Sequence, residues 1–136
     1  MQRYIFGSGN VHAALLLLRL WTGAMMLYHG GLKLFSGMDR FVETVATKLG
    51  LPPLMAWIAA LAELGGGALV LIGFLARPAA VTIAVTMSVA AFGAHATDPW
   101  QRKEFALCYF VSSLAIAVAG AGRYSFDARI ERRLNT

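Results

Sequence analysis

The stretch LMAWIAALAELGGGALVLIGFLA, Leu54 to Ala76, decides the fold class, because it is apolar from end to end except for Glu63. It is rich in Ala and Leu and shows no alternation, which argues against a strand. At about 1.5 Å of rise per residue it is long enough to cross a hydrocarbon layer of roughly 30 Å as a helix. Three further runs surround it. Val11 to Phe35 is broken by Arg19, His29 and Lys33. Pro78 to Ala96 has polar content limited to Thr82, Thr86, Ser88 and the terminal His95, and about Phe105 to Ala121 carries Cys108. The prolines agree with these limits. Pro52 and Pro53 precede the second run, Pro78 opens the third and Pro99 lies between the third and fourth, where no helical N–H is lost.

Composition points the same way. Apolar residues make up 58% of 136 and charged residues 14%, against soluble norms of about 45–50% and about 25%. One domain of this length has no interior large enough to hide that surface from water. The expected fold is therefore an all-α integral membrane protein, a four-helix transmembrane bundle within a single domain, 1–136, with spans about 11–35, 54–76, 78–96 and 105–121. The first run extends past a signal-peptide core and shows no small-residue cleavage site, so it reads as a retained helix. The net charge of +5 comes from basic residues at the borders of apolar runs, where they meet headgroups rather than nucleic acid. A lone cysteine excludes an internal disulfide or dithiol pair.

Between the first two spans, Met38, Phe41, Val42, Val45 and Leu49 recur at helical spacing, with Arg40, Glu43, Thr44 and Lys48 on other faces. This predicts a short amphipathic helix over about 38–49 at the membrane surface, capped by Ser36 and ended by Gly50. With four spans both termini share a side. Arg3, Arg77, Arg123, Arg129, Arg132 and Arg133 would lie there, opposite Arg40, Lys48, Arg102 and Lys103. The positive-inside rule then places both ends in the cytoplasm.

Ionisable groups inside a span are costly and usually face a partner or a cavity. On the first run Arg19, Gly23, Met26, Gly30 and Lys33 share one helical face, a basic stripe lined with glycine. Glu63 is the acid well inside a span, followed by Gly65, Gly66 and Gly67. Antiparallel packing sets it near the depth of His29, each roughly 10–14 Å from a shared end. Arg19 is deeper and can reach inward to Glu63 or outward to the interface. His95 and Glu104 come to the same end as Lys33. The sequence thus nominates Arg19, His29, Lys33, Glu63, His95 and Glu104 as a buried polar cluster or ligand pocket, with Tyr28 and Trp100 as an aromatic rim. The alternative is a purely structural ionic network that fixes helix register.

The chain also resembles the DoxX family of small bacterial membrane proteins. The matching features are Arg19, Gly23, Gly30 and Lys33, then Gly50-Leu51-Pro52, Glu63 with its glycines, Gly73-Phe74-Leu75-Ala76-Arg77, and Gly120-Ala121-Gly122-Arg123-Tyr124-Ser125-Phe126-Asp127. The resemblance implies a four-helix bundle in the bacterial cytoplasmic membrane with cytoplasmic termini. It also implies association with redox proteins: one branch is similar to the membrane subunit of a thiosulfate:quinone oxidoreductase, and another member sits in a redox complex with superoxide dismutase and a sulfurtransferase. The closing Arg123–Asp127 segment reads as a helix exit, Gly122 breaking the span and Asp127 capping the residues after it.

Two functions are expected on these grounds. One is a redox-associated subunit that binds a quinone, with His29 or Lys33 as donor to its carbonyl and Glu63 moving protons. No flavin, iron–sulfur or dithiol pattern is present, so its electrons would come from a partner. The other is a non-enzymatic accessory or assembly subunit. A haem held by His29 and His95 is disfavoured because the two are expected at different depths, and no metal site is expected. Expected partners are the bilayer and other membrane redox proteins or a second copy, and not nucleic acid.

Overall fold

The computed structural model describes residues 9–135, so Arg3 lies outside the described residues. Among the described residues six α-helices run in the order α1 (Val11–Ser36), α2 (Met38–Leu49), α3 (Pro53–Ile72), α4 (Ala76–Val89), α5 (Trp100–Ala119) and α6 (Phe126–Leu134), with a π turn, Ala90–Ala94, extending α4. No strand occurs among the described residues. Helices α1, α3 and α4 with its π turn are each long and apolar enough to cross a membrane. The helix α5 does not join them on composition. It matches α3 at 20 residues, but it starts at Trp100, before the apolar run, and its first turns take in Arg102, Lys103 and Glu104.

Local chemistry sets the other boundaries. Helix α3 stops at Ile72, short of the Ala76 expected from hydropathy, because Gly73 adopts φ +72° and its amide turns back to the Leu69 and Val70 carbonyls. Leu75, with φ +47°, completes the reversal, and Pro78 falls inside the first turn of α4. Ser36 is the last residue of α1 rather than a cap for α2. Gly37 holds the cap position without a side-chain bond, and Gly50, at φ +63°, closes α2.

Helices α1 and α3 pack backbone to backbone. A β-carbon on Gly30 would overlap the Leu64 nitrogen, and one on Gly67 would lie 2.5 Å from that of Leu27. The small residues at these crossings supply the close contact that holds helices together where lipid offers no hydrophobic drive. Of the glycine triplet, Gly67 meets α1 and Gly66 meets Ile83 of α4, while Gly65 meets nothing. The interior is a cluster of Met26, Val70, Ala79, Ala80, Ile83, Met87 and Ile116. Across the first half of α3 lies α2, burying Met38 and Val45 against Ala56 and Ala60. Outward-facing side chains such as Leu17, Phe35, Leu61 and Val118 are more than half exposed, a surface suited to acyl chains and not to water. This is a membrane protein.

The antiparallel course gives the molecule two ends. The Lys33 end holds the α1–α2 turn, α2, His95 and the start of α5. The Arg19 end holds Gly73, the turn after α5, and α6.

Candidate functional site

Position 33 lies in the last turn of α1, and position 63 lies midway along α3, where glycine-mediated contact brings the two helices together. The Lys33 ammonium donates to both oxygens of Glu63, at 2.5 and 2.6 Å. Glu63 is 1% exposed, whereas the Lys33 side chain is 28% exposed, so the pair has a sealed acidic side and an open basic side. Lys33 also sits 4.4 Å from the centre of the Phe41 ring on α2, a cation–π arrangement. The opening is a groove of about 310 Å³ lined by Leu32, Lys33, Gly37, Arg40, Phe41 and Thr44. Leu32 and Phe35, both exposed, flank it on α1.

Arg19 goes elsewhere. Instead of reaching Glu63, its guanidinium turns to the opposite end of the molecule. Nε donates to the Val70 carbonyl (3.0 Å), Nη2 to that of Leu71 (3.1 Å), and Nη1 to those of Ala121 (2.6 Å) and Tyr124 (3.1 Å). It is 1% exposed. These carbonyls belong to the last turn of α3 and the exit from α5, where helical acceptors lack intrahelical donors. A cation there also opposes the negative end of the α3 dipole. Gly73 is required beside it, because a β-carbon would come 2.7 Å from the Arg19 Cζ and 2.6 Å from the Ser125 Cβ.

The remaining nominated residues do not join the pair. His29 is exposed on α1, edge-on to Tyr28 (5.6 Å between centroids) and Tyr109 of α5 (6.0 Å). His95 binds Asp98 through Nδ1 at 2.7 Å. Glu104 forms no ion pair among the described residues. Tyr28 and Trp100 are both exposed and form no rim over Lys33. No group of three or more His, Cys, Asp or Glu that could hold a metal ion occurs among the described residues.

Two aspartates prove to be organisers: Asp98, which the sequence reading does not single out, and Asp127, which it takes for a helix cap. Asp98, in the α4–α5 turn, accepts from Lys48 of α2 (3.1 Å) as well as meeting His95. Its carboxyl is held below the usual carboxylate range, first by the hydrogen bond to His95 and then by that from Lys48. The clasp was hidden because the partners are 50 positions apart. Asp127 does not cap the helix after it. Its two oxygens accept from the Leu75 and Ala76 amides (2.8 and 3.0 Å) at the start of α4, and Ser125 caps α6 instead, accepting from Ala128. The closing motif therefore ties the chain's end to the α3–α4 turn.

The DoxX family profile matches residues 14–96, which include Arg19, Lys33, Glu63 and His95. A Bacillus subtilis (strain 168) protein named "Putative oxidoreductase CatD" is 33% identical over 113 residues, covering 82% of this chain and 83% of its own length. No solved structure matches the chain. The match across α1 to the end of the π turn, together with this relative, settles the assignment: the chain belongs to the DoxX family.

Proposed function

We propose that the chain is a membrane subunit associated with redox metabolism that binds a quinone headgroup over Lys33. The observation that carries this reading is the asymmetric pair: a buried carboxylate, Glu63, bound through both oxygens to a lysine that lines an open groove. A quinone carbonyl needs a donor, and Lys33 has one on the groove side. Its reduction to the quinol takes up an electron pair and a pair of protons. The Lys33 ammonium gives one proton, and water at the open groove gives the other and restores the ammonium, whose charge the Glu63 carboxylate stabilises. The electrons come from a partner oxidoreductase. The groove, about 310 Å³, is at the lower limit of small-molecule sites. It suits one ring against Phe41 with an isoprenoid tail running out past Leu32 and Phe35 into lipid. The relative's name, an oxidoreductase, accords with this.

In the same reading α5 is the fourth crossing, antiparallel to α4, with Arg102 and Lys103 at its interfacial end and Phe105–Ala119 free of charge. The Arg19 end then faces the cytoplasm of a bacterial inner membrane, since Arg77, Arg123, Arg129, Arg132 and Arg133 gather there.

A second reading is an accessory subunit whose charges only fix helix packing. The bidentate pairing favours it, since Lys33 and Glu63 satisfy each other without a ligand. Quinone extracted from protein purified in mild detergent separates the two. The redox reading expects bound quinone that falls by about tenfold or more in Lys33→Met, the loss of one charge-assisted hydrogen bond, and also falls in Phe41→Leu, which leaves the ion pair intact. Quinone content equal to wild type in both folded variants would discard the site and leave the accessory reading.

A further inference from the structure

At the Arg19 end, away from the pair, a groove of about 670 Å³ opens between the start of α1, the α5 exit and α6, lined by His12, Arg77, Arg123, Asp127, Glu131 and Arg132 with the 119–122 backbone as its floor. Arg77 lies along that floor: a β-carbon on Gly120, which has φ +82°, would sit 3.1 Å from its Nε. Arg77 and Arg123 are exposed and form no ion pair among the described residues. The Arg123 guanidinium lies 5.7 Å from the centre of the Tyr124 ring. Asp127 keeps its charge in the lining, but both its oxygens accept from the start of α4 and it forms no ion pair with Arg77 or Arg123. Glu131 also lines the groove, and Arg132 donates through Nε to the Ala128 carbonyl, so the groove's unpaired guanidinium groups among the described residues are those of Arg77 and Arg123. His12 accepts from the Arg123 amide through Nδ1 (3.4 Å), which leaves its ring hydrogen on Nε2 as a further donor.

Two guanidinium forks around one hollow suit a tetrahedral oxyanion such as phosphate. The surroundings indicate what the phosphate is attached to. Asp127 and Glu131 are shared with an adjoining hollow of about 370 Å³ lined by Phe74, Leu75, Ile130 and Leu134. On α6, Phe126, Ile130 and Leu134 form an exposed apolar ridge, 51%, 42% and 80% accessible, beside Arg129, Arg132 and Arg133. A short amphipathic helix of this pattern lies in the headgroup layer. We propose that the Arg77–Arg123 groove is a binding site for the phosphate of an anionic phospholipid, with α6 dividing headgroup from acyl chains.

The test is native mass spectrometry of the full chain in detergent, offered phosphatidylglycerol, phosphatidylcholine or inorganic phosphate. Wild type is expected to keep a discrete phosphatidylglycerol adduct in preference to phosphatidylcholine. Basic residues near an anionic surface contribute about fivefold each, so Arg77→Gln/Arg123→Gln should weaken the adduct roughly 25-fold. Arg129→Gln/Arg133→Gln, which removes equal charge outside the groove, should retain it. Should the glutamine pair fail to fold, Arg77→Lys/Arg123→Lys keeps the charge and is still expected to weaken the adduct, because lysine lacks the planar fork. Equal loss in both glutamine pairs, or equal retention of the two lipids, would overturn the site as diffuse surface charge. Binding of inorganic phosphate that depends on Arg77 and Arg123, with no lipid preference, would overturn the lipid as its source.

Discussion

At one end of α1 the Arg19 guanidinium donates to four backbone carbonyls. Near the other end the Lys33 ammonium donates to two oxygens of one carboxylate. Both residues are charges placed in the same apolar run, on the same glycine-lined face, yet they are held by different kinds of partner. Carbonyls neither titrate nor leave, so Arg19 is a fixed tie between the ends of α3 and α5. The Lys33 side chain is partly exposed and can turn to another acceptor, as the quinone reading asks of it. On the proposed reading, the site and the frame that holds it are thus separated along one helix.

The comparison is tested hardest by removing the tie. Each hydrogen bond to a charged group is worth about 1.5–3 kcal/mol, and buried acceptors left without donors add a desolvation cost. Arg19→Ala should therefore cost roughly 4 kcal/mol or more, read as loss of folded protein in a thermal melt in detergent. Arg19→Lys should recover only part of it, because an ammonium cannot span four carbonyls set around a planar fork. Full rescue by lysine would mean that the charge alone mattered.

At the other end the two single variants should differ. Lys33→Met strands a carboxylate that is 1% exposed and should cost about 3–5 kcal/mol, the range for breaking a buried pair. Glu63→Gln strands a lysine that is 28% exposed and can reach the surface, so about 1–3 kcal/mol is expected. The double variant Lys33→Met/Glu63→Gln should lose less than the two single losses together, because it buries an unpaired amide rather than an unpaired charge. Additive losses in the thermal melts would show that the two side chains are not coupled. Next in size comes Gly30→Ala. Its β-carbon would overlap the Leu64 backbone, next to Glu63, and overpacking of this kind costs about 1–3 kcal/mol. It should also loosen the pair without altering either charge, visible as a smaller coupling energy when the double-variant cycle is repeated on the Gly30→Ala background.

The two ends were not equally legible in the sequence. The hydropathy of Leu54–Ala76 and its neighbours indicated the helical membrane class, and Gly50 with Pro52–Pro53 punctuated α2 and α3 where the helices stop and start. Glu63 was conspicuous as an acid within a span, and helical rise placed Lys33 toward the end from which it reaches in. The partners of Arg19 left no trace in residue types, because every residue carries a carbonyl and only the fold selects which four converge. Hydropathy misjudged the α3–α4 boundary for a related reason. Gly73, Phe74, Leu75 and Ala76 are apolar, but Gly73 and Leu75 take left-handed backbone conformations that end one helix before the next begins. His29 matched Glu63 in depth but stands roughly 80° around α1 from the Arg19–Lys33 face at about 100° per residue, and the ring lies exposed between Tyr28 and Tyr109.

The smallest expected effect concerns the clasp at the Lys33 end, where Asp98 ties the α4–α5 turn to α2 through Lys48. Because the folded protein holds this carboxyl below its ordinary value of 3.8, through His95 first and Lys48 second, ionised Asp98 stabilises the fold. That contribution is complete above the ordinary value and is lost as pH falls through the lower folded one. Asp98→Asn should therefore speed amide exchange in the last turn of α2 and in the π turn at neutral pH. The difference from wild type should shrink in acid, as protonation of Asp98 removes the same charge that the substitution removes. The Lys33–Glu63 pair lies well apart from this clasp in sequence but shares α2 with it as a wall, through Phe41. If the wall positions the groove, quinone retention should fall modestly in Asp98→Asn while the Arg19 end keeps its exchange rates. Faster exchange at both ends would show that the two regions unfold as one unit, and the separation between frame and site would not stand.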